Sequence, residues 1–444
     1  MVSVLRLLGR ELGLHHIRDS HSPRDVALLV VSRFVRLAGF GAVAPVLLLF
    51  LRESGFSERS IGGFLSATLL GDVALSLLVT WSADLLGRRR MLAIGSALML
   101  ASGVAFYFSD EYFVLLGAAI FGIISPSGNE TGPFSALEQA ILSQLTEPEG
   151  RVSLLMWYAV IGYAGMGVGN LATSFVVSSF DQAGKSDLAA YRVIFLLYGA
   201  IAAFKVALSF ALSAKCEVDA PTPPNSTPSS ANEGERQPLI NSRQPPADAT
   251  VQIPAPLAVG RLMTLCLIFS LDSFASSLGT GSFIAYFLRT TFAAPIALIA
   301  QVMSVTAVTT CLSQLAAGSL AKRLGVVYTM VCTHVPAQVF TILFGLAPTL
   351  PLALTLLIAR SCLTSMDSSV RGAFLAAVIP KESRTRFLGI INVCKTLAST
   401  PGPTLSLALV SLGSSRIVFV LMGSIKILYN VILLVLFKTA PLQH

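Results

Sequence analysis

The sequence has few charged residues and lacks the short motifs that mark the common enzyme classes. Only 12% of its 444 residues are Asp, Glu, Lys or Arg, about half of the roughly 25% typical of soluble domains. It contains no Gly-x-x-x-x-Gly-Lys-Ser/Thr phosphate loop, no His-Glu-x-x-His and no Gly-x-Ser-x-Gly, and its five histidines form no helical metal pair. These absences argue against an ATP-driven pump and against a membrane enzyme. No cofactor and no metal are expected.

Cysteine is also sparse and unpatterned. The six cysteines stand singly, make no Cys-x-x-Cys, and lie mostly in hydrophobic runs, so we interpret them as small, reduced, apolar residues. They are Cys216, Cys266, Cys311, Cys332, Cys362 and Cys394.

Hydrophobic residues dominate what is present. They make up 54% of the chain, the mean hydropathy is +0.75, and the apolar runs are long enough for membrane helices, which need about 20 residues. The runs predict an all-α polytopic membrane protein with about twelve transmembrane helices in two pseudo-symmetric six-helix bundles. The predicted helices cover 26–51, 59–83, 91–108, 112–141, 152–178, 191–213, 258–288, 294–320, 326–346, 350–378, 387–412 and 415–437.

The positions of the basic residues predict the orientation. Arginine and lysine concentrate in the short segments on the side of both chain ends, and this side faces the cytoplasm by the positive-inside rule. The net charge of +8 is therefore a topology signal, and no nucleic-acid partner is expected. The predicted parts are a cytoplasmic segment 1–25, bundles 26–213 and 258–437, a cytoplasmic linker 214–257, and a cytoplasmic tail 438–444.

The linker differs in composition from everything around it. It is rich in Pro, Ser, Asn and Gln and has almost nothing apolar to bury, which predicts disorder. Within it, Glu235–Ile240 resembles an acidic dileucine signal that sorting adaptors read. The predicted location is the plasma membrane or a vacuolar or lysosomal type of membrane, and the signal does not decide between them.

A charged turn between the second and third apolar runs carries a family resemblance. It reads Asp84-Leu-Leu-Gly87-Arg88-Arg89-Arg90, and Gly87 permits the tight reversal that such a turn needs. It resembles the loop between helices 2 and 3 of the major facilitator superfamily, although Thr80 replaces a glycine usual in that pattern. The resemblance implies a 6+6 helical fold, a transporter and not an enzyme, and alternating access to a central pathway.

The two halves of the sequence echo each other. Counting back the same distance from Arg151 and Arg384, which follow the fourth and tenth runs, leads to Glu138 and Arg371. We assign these four residues, with the charged turn, to a cytoplasmic gating motif. Its members are Asp84, Gly87, Arg88, Arg89, Glu138, Arg151, Arg371 and Arg384.

Ionisable residues inside membrane helices are functional candidates because their burial costs free energy. The arginines and the lysine among them are suited to an anionic group, and the acids to proton uptake and release. Structural ion pairing is the alternative for each of them. The candidates for substrate binding or proton coupling are Arg33, Arg36, Glu130, Asp272, Arg360, Asp367 and Lys395.

These features predict a monomeric secondary transporter of a small organic solute in a lipid bilayer. Proton coupling is a candidate mechanism, and the buried cations favour an organic anion. A glycine-rich stretch, Gly162–Gly169, resembles a motif of drug–proton antiporters without its proline, which favours antiport; close helix packing is the alternative. A facilitative uniporter and a non-transporting sensor on the same fold remain alternatives.

Overall fold

The computed structural model describes residues 21–122, 124, 133–217, 255–379 and 384–437. Within these ranges the regular secondary structure is helical. The first half contains α1 Pro23–Val43, α2 Leu47–Glu53, α3 Glu58–Leu86, α4 Arg88–Phe108, α5 Tyr112–Phe121, α6 Pro133–Leu145, α7 Pro148–Gln182 and α8 Asp187–Ala211, followed by a 3₁₀ turn, Ala214–Cys216. The second half contains α9 Ala255–Leu278, α10 Gly281–Phe292, α11 Ile296–Leu324, α12 Val326–Leu346, α13 Leu350–Thr364, α14 Met366–Val378, α15 Arg384–Ser399, α16 Gly402–Ser411 and α17 Ser415–Phe437.

By length and composition, eight helical stretches of the described chain are apolar enough to cross a membrane, and two more apolar helices are shorter. Joining helices that continue one another gives twelve segments in the described ranges, six in each half. Polar caps begin some of the helices: the hydroxyl of Ser57 accepts the Ser60 amide at 3.2 Å and that of Thr280 accepts the Phe283 amide at 3.2 Å. Such caps satisfy amides that have no partner within the helix.

Four segments predicted as continuous helices are broken. The breaks fall at residues 44–46, 279–280, 365 and 400–401. Pro45 and Pro401 explain two of them, because proline has no amide hydrogen to donate to the helix. A fifth segment is interrupted after Phe121, where α5 ends, because Gly122 and Ile124 are not helical. Four of the five interrupted segments are the first, fourth, seventh and tenth.

The two ends of the molecule are packed differently. We call the end that carries Pro23, Gly87 and Phe437 the terminal side, and the opposite end the distal side. On the distal side one apolar core contains residues of both halves, such as Phe50 and Phe195 from the first and Phe287 and Phe419 from the second. On the terminal side each half has a core of its own. Among the described residues, the halves are therefore joined by apolar packing on the distal side.

Two pairs of helices make the largest contacts between the halves. The α3 helix packs against α16, where the Ser66 and Thr404 hydroxyls are 2.7 Å apart, and α7 packs against α11, where the Ser304 hydroxyl donates to the Gly167 carbonyl at 2.9 Å. Smaller contacts join α15 to α3 and α10 to α2.

Candidate functional site

A buried carboxylate organises the charged residues of the first half. Glu138 on α6 is fully buried, and its carboxylate lies 2.7 Å from the Arg36 guanidinium and 3.7 Å from the Lys205 ammonium. The Tyr158 hydroxyl donates to the same carboxylate and accepts from Arg36 at 3.0 Å. Ser32 also donates to it, at 3.3 Å. We call Arg33, Arg36, Glu138, Tyr158 and Lys205 the N-cluster.

Arg33 completes the N-cluster. Its guanidinium donates to the Ser135 hydroxyl at 3.4 Å and stands over the Tyr158 ring, 4.6 Å from the ring centroid. Gly162 provides the room, because a methyl group there would come within 2.8 Å of the Arg33 Nε. Four segments of the first half thus meet around one negative charge.

The second half has a corresponding cluster with two acids. Asp272 on α9 is held by two cations, with Arg371 at 3.0 Å and Lys426 at 3.1 Å. Arg371 also pairs with Asp367, one turn away on α14, and its guanidinium stands 5.4 Å from the Phe269 ring centroid. We call Asp272, Asp367, Arg371 and Lys426 the C-cluster.

Two predicted cations lie beside the C-cluster without joining its ion pairs. Arg360, on α13, acts electrostatically on Lys426, and Lys395, on α15, lies in the field of Asp272, Asp367 and Arg371. The Nε of Arg360 is buried and has no hydrogen-bond partner among the described residues.

The two clusters have opposite charge patterns. In the N-cluster the acid is on the fourth segment and cations are on the first; in the C-cluster an acid, Asp272, is on the seventh and a cation, Arg371, is on the tenth. Lys205 and Lys426 occupy the sixth and twelfth segments in the same role. Buried charges need such partners, because an isolated ion is costly to desolvate.

Sequence reasoning missed Lys205, Lys426 and His334. The two lysines lie within long apolar runs, and the rule that selected the other intramembrane charges also applies to them. His334 on α12 is 2% exposed, and its Nδ1 is 2.9 Å from the amide nitrogen of Asn430. That contact joins segments nine and twelve and has no signal in the sequence.

The structure describes most members of the predicted gating motif. Gly87 has φ +91, which permits the predicted reversal, and Arg88 donates to the Gln144 side chain at 2.8 Å. Arg151 donates to the Thr146 carbonyl at 3.1 Å. Glu138 lies in the N-cluster and Arg371 in the C-cluster.

The N-terminus of α4 is capped from an unexpected place. The carboxylate of Glu217, at the start of the predicted linker, accepts the amides of Arg88 at 2.6 Å and Arg89 at 3.2 Å. A negative charge at this position complements the helix dipole. Nearby, burial raises the pKa of the Cys216 thiol to about 11.

Several predicted residues fall outside the description. Glu130 and the sorting signal at 235–240 lie outside the described residues, as do residues 1–20. Asp84 and Arg384 lie on α3 and α15, but their side chains are outside the described part of the structure.

The glycine-rich stretch of α7 packs closely against α1. A methyl group at Gly165 would stand 2.2 Å from the Phe34 carbonyl oxygen, and one at Gly169 would stand 1.9 Å from that of Ala38. Gly167 points the other way, towards α11, where a methyl group would meet Ala307 at an ordinary 3.5 Å. The packing alternative therefore accounts for at least two of these glycines.

Comparison with known proteins identifies the family. The sequence profile described as Major Facilitator Superfamily matches residues 29–280 and 265–444. The uncharacterized membrane protein YJR124C of Saccharomyces cerevisiae is 31% identical over 423 residues, which cover 93% of this chain and 94% of the yeast protein.

Solved structures show the same fold at low identity. A mutant of the nucleoside transporter NupG has a TM-score of 0.68 at 15% identity, covering 93% of this chain and 100% of NupG. The human organic anion transporter MFSD10 (TETRAN) has a TM-score of 0.60 at 16% identity, covering 92% and 99% of the two chains. A D-xylose–proton symporter has a TM-score of 0.64 at 15% identity, covering 92% and 96%.

These matches confirm the predicted all-α fold of two six-helix bundles and a multi-pass membrane transporter, not an enzyme. The chain belongs to the major facilitator superfamily.

Proposed function

We propose that this transporter moves a small organic solute by alternating access, in secondary active transport coupled to protons. The observation that carries the proposal is the asymmetry of the cores: the halves share one core on the distal side and have separate cores on the terminal side. A transporter that is closed at one end and open at the other has this arrangement. With the terminal side in the cytoplasm, as the basic residues predict, the structure corresponds to an inward-open state.

Polar contacts between the halves support closure on the distal side. The Tyr286 hydroxyl of α10 donates to the Glu58 carboxylate of α3, and Arg52 stands over the Tyr286 ring at 5.5 Å. Arg289 and Asp187 form a second pair across the halves, at 3.2 Å. We call Arg52, Glu58, Asp187, Tyr286 and Arg289 the distal gate. Such contacts must break when the distal side opens.

For proton coupling, Asp367 is the acid that the geometry favours. Asp272 has two cationic partners, one on each of its carboxylate oxygens. Asp367 pairs with Arg371 through one oxygen, while its other oxygen, Oδ1, is buried without a hydrogen-bond partner among the described residues. A proton on Asp367 would weaken its bond to Arg371 and leave Arg371 with Asp272. Proton binding would thereby change the contacts between the seventh and tenth segments.

Flux in sealed proteoliposomes tests this function. An internal pH dye reports proton movement under an imposed pH gradient while organic anions, cations and neutral solutes are added in turn. We expect one class of solute to move protons, and Asp367→Asn to abolish that movement. Asp110→Asn, which removes a partner of Arg192 on the distal surface, is the matched control and should transport normally.

Two results would contradict the proposal in different ways. Solute uptake without proton movement would indicate a uniporter or another coupling ion, and would return Asp367 to a structural role. Ligand binding without flux of any solute would favour the non-transporting sensor. The same assay distinguishes antiport from symport, because the pH dye shows whether protons move against the solute or with it.

A further inference from the structure

We infer that the second half binds the oxyanion group of the substrate, a carboxylate or a phosphate, through Arg360 and Lys395 beside the C-cluster. This inference rests on the proposed function, because only a transporter would make the bound anion a substrate. Binding of an anion at the site can be tested without transport.

The first step is the charge of the region. Asp272 and Asp367 are both engaged by Arg371, and Asp272 also by Lys426. These two acids and two cations balance. Arg360 and Lys395 are additional, so the described side chains of this region carry two more positive than negative charges. Because unbalanced buried charge is costly, an anion from outside the chain would complete the site.

The second step is that Arg360 lacks a partner of its own. Its Nε is buried without a hydrogen bond, and no acid pairs with its guanidinium in the ranges that the structure describes. A guanidinium presents a planar fork that matches the two oxygens of a carboxylate or phosphate. An arginine that only joined helices would be expected to contact an acid or a backbone carbonyl, as Arg416 does with the Ala347 carbonyl at 2.8 Å.

The third step is position. Arg360, on α13, belongs to the same interrupted segment as Asp367 and Arg371, which follow the break at Ser365 on α14. It is an electrostatic neighbour of Lys426, which pairs with Asp272. Its backbone carbonyl is engaged by the Thr364 hydroxyl at 2.9 Å. The guanidinium is therefore carried by the segment that contributes Asp367 and Arg371 to the C-cluster.

The fourth step is the second cation. Lys395 lies on α15, which packs against both α9, the helix of Asp272, and α3 of the other half. It makes no ion pair or hydrogen bond within the described residues, although Asp272, Asp367 and Arg371 are its electrostatic neighbours. The Lys395 ammonium would supply a second positive charge for the anion, while the planar Arg360 guanidinium would orient its two oxygens.

The test is ligand binding to purified full-length protein in detergent, read as the shift in melting temperature. The probes are acetate, succinate, citrate, inorganic phosphate and glucose 6-phosphate, with glucose and choline as neutral and cationic comparisons. We expect at least one oxyanion to stabilise the wild type. In Arg360→Gln and Lys395→Gln the oxyanion concentration that gives half of the maximal stabilisation should rise by about tenfold or more. This is the loss of affinity expected when a charged hydrogen bond is removed. Arg416→Gln, an arginine bonded to a carbonyl outside this site, is the matched control and should bind normally.

A second measurement separates binding from structure. Removing an unpartnered buried charge should leave the ligand-free protein at least as stable as the wild type, so Arg360→Gln should melt at the same temperature or higher. A lower melting temperature without ligand would show that Arg360 is structural and would overturn the inference. Stabilisation by glucose or choline alone, or by none of the oxyanions, would also overturn it.

The two proposals fail separately. Oxyanion binding that depends on Arg360, without flux in proteoliposomes, would support this site and contradict transport. Proton-linked flux of choline or glucose would support transport and contradict the oxyanion site. Carboxylate and phosphate sources are distinguished by which probe binds at the lower concentration.

Discussion

Lys205 and Lys426 lie in corresponding places of the two halves, each with its ammonium beside a buried carboxylate. The distance is 3.7 Å from Lys205 to Glu138 and 3.1 Å from Lys426 to Asp272. Each lysine is on the last helix of its half and joins that peripheral helix to the interrupted segments. The two halves therefore use the same position for the same purpose, although the acids are contributed by different segments.

Lys426→Met should lower the free energy of unfolding by about 1.5–3 kcal/mol, because it removes a charged hydrogen bond from the buried Asp272. The double variant Lys426→Met/Asp272→Asn should regain part of this loss, since it also removes the carboxylate that has lost one of its two cationic partners. Chemical unfolding in detergent measures both. Lys185→Met, an exposed lysine on the distal surface, is the control. Equal stability of Lys426→Met and the wild type would contradict the pairing.

Tyr286→Phe should favour opening of the distal side. The hydroxyl donates to Glu58 across the halves, and loss of a hydrogen bond to a carboxylate, about 1.5–3 kcal/mol, shifts a two-state equilibrium by about tenfold or more. Spin labels on cysteines introduced at Lys185 and Ser411, after replacement of the native cysteines, report the distance between the halves.

Tyr112→Phe is the control for that measurement. It also removes a tyrosine hydrogen bond near the distal side, but the Tyr112 hydroxyl donates to the Ser60 carbonyl, at 3.2 Å, within one half. The two variants should differ. If both gave the same distance distribution, the Tyr286 bond would have no role in the gate.

Gly165→Ala should reduce stability and transport, because its methyl group would stand 2.2 Å from the Phe34 carbonyl oxygen and force α1 and α7 apart. Steric conflicts of this kind in a packed core cost about 1–3 kcal/mol. Gly167→Ala should be tolerated, as its methyl group would meet the neighbouring helix at an ordinary distance. Melting temperature and flux measure both variants. The reverse order of effects would contradict this packing of α7.

Glu217→Gln should weaken the start of α4, because the carboxylate accepts two of its first amides. The expected loss of stability is about 1 kcal/mol, with faster hydrogen exchange at Arg88 and Arg89. Glu147→Gln is the matched control, since Glu147 precedes α7 but its side chain makes no cap hydrogen bond. Unchanged exchange at Arg88 in Glu217→Gln would show that the cap contributes nothing.

The sequence was sufficient to predict the general architecture because membrane helices are long and uniform in composition. The apolar runs and the turn at Gly87 lead directly to the family, and most charged residues in those runs are described here in the clusters or beside them. Which charges pair could not be predicted. Arg36 and Glu138 are 102 positions apart, and their contact depends on how segments one and four face each other.

The breaks were partly visible in the sequence. Pro45 and Pro401 stand where two of them fall, and proline is a known interruption. The break at Ser365 has no such signal. The cap at Glu217 was also hidden, because the residue begins a stretch that composition assigns to a disordered linker, and nothing in the local pattern relates it to Arg88.

The break at Ser365 separates Arg360, on α13, from Asp367 and Arg371, on α14. An uninterrupted helix would fix the distance between these charges. Here the tenth segment is interrupted between them, so the angle between α13 and α14 sets how far the Arg360 guanidinium lies from the Asp367–Arg371 pair. A bound anion that touched both parts of the segment would favour one bend angle, and protonation that released Arg371 would favour another.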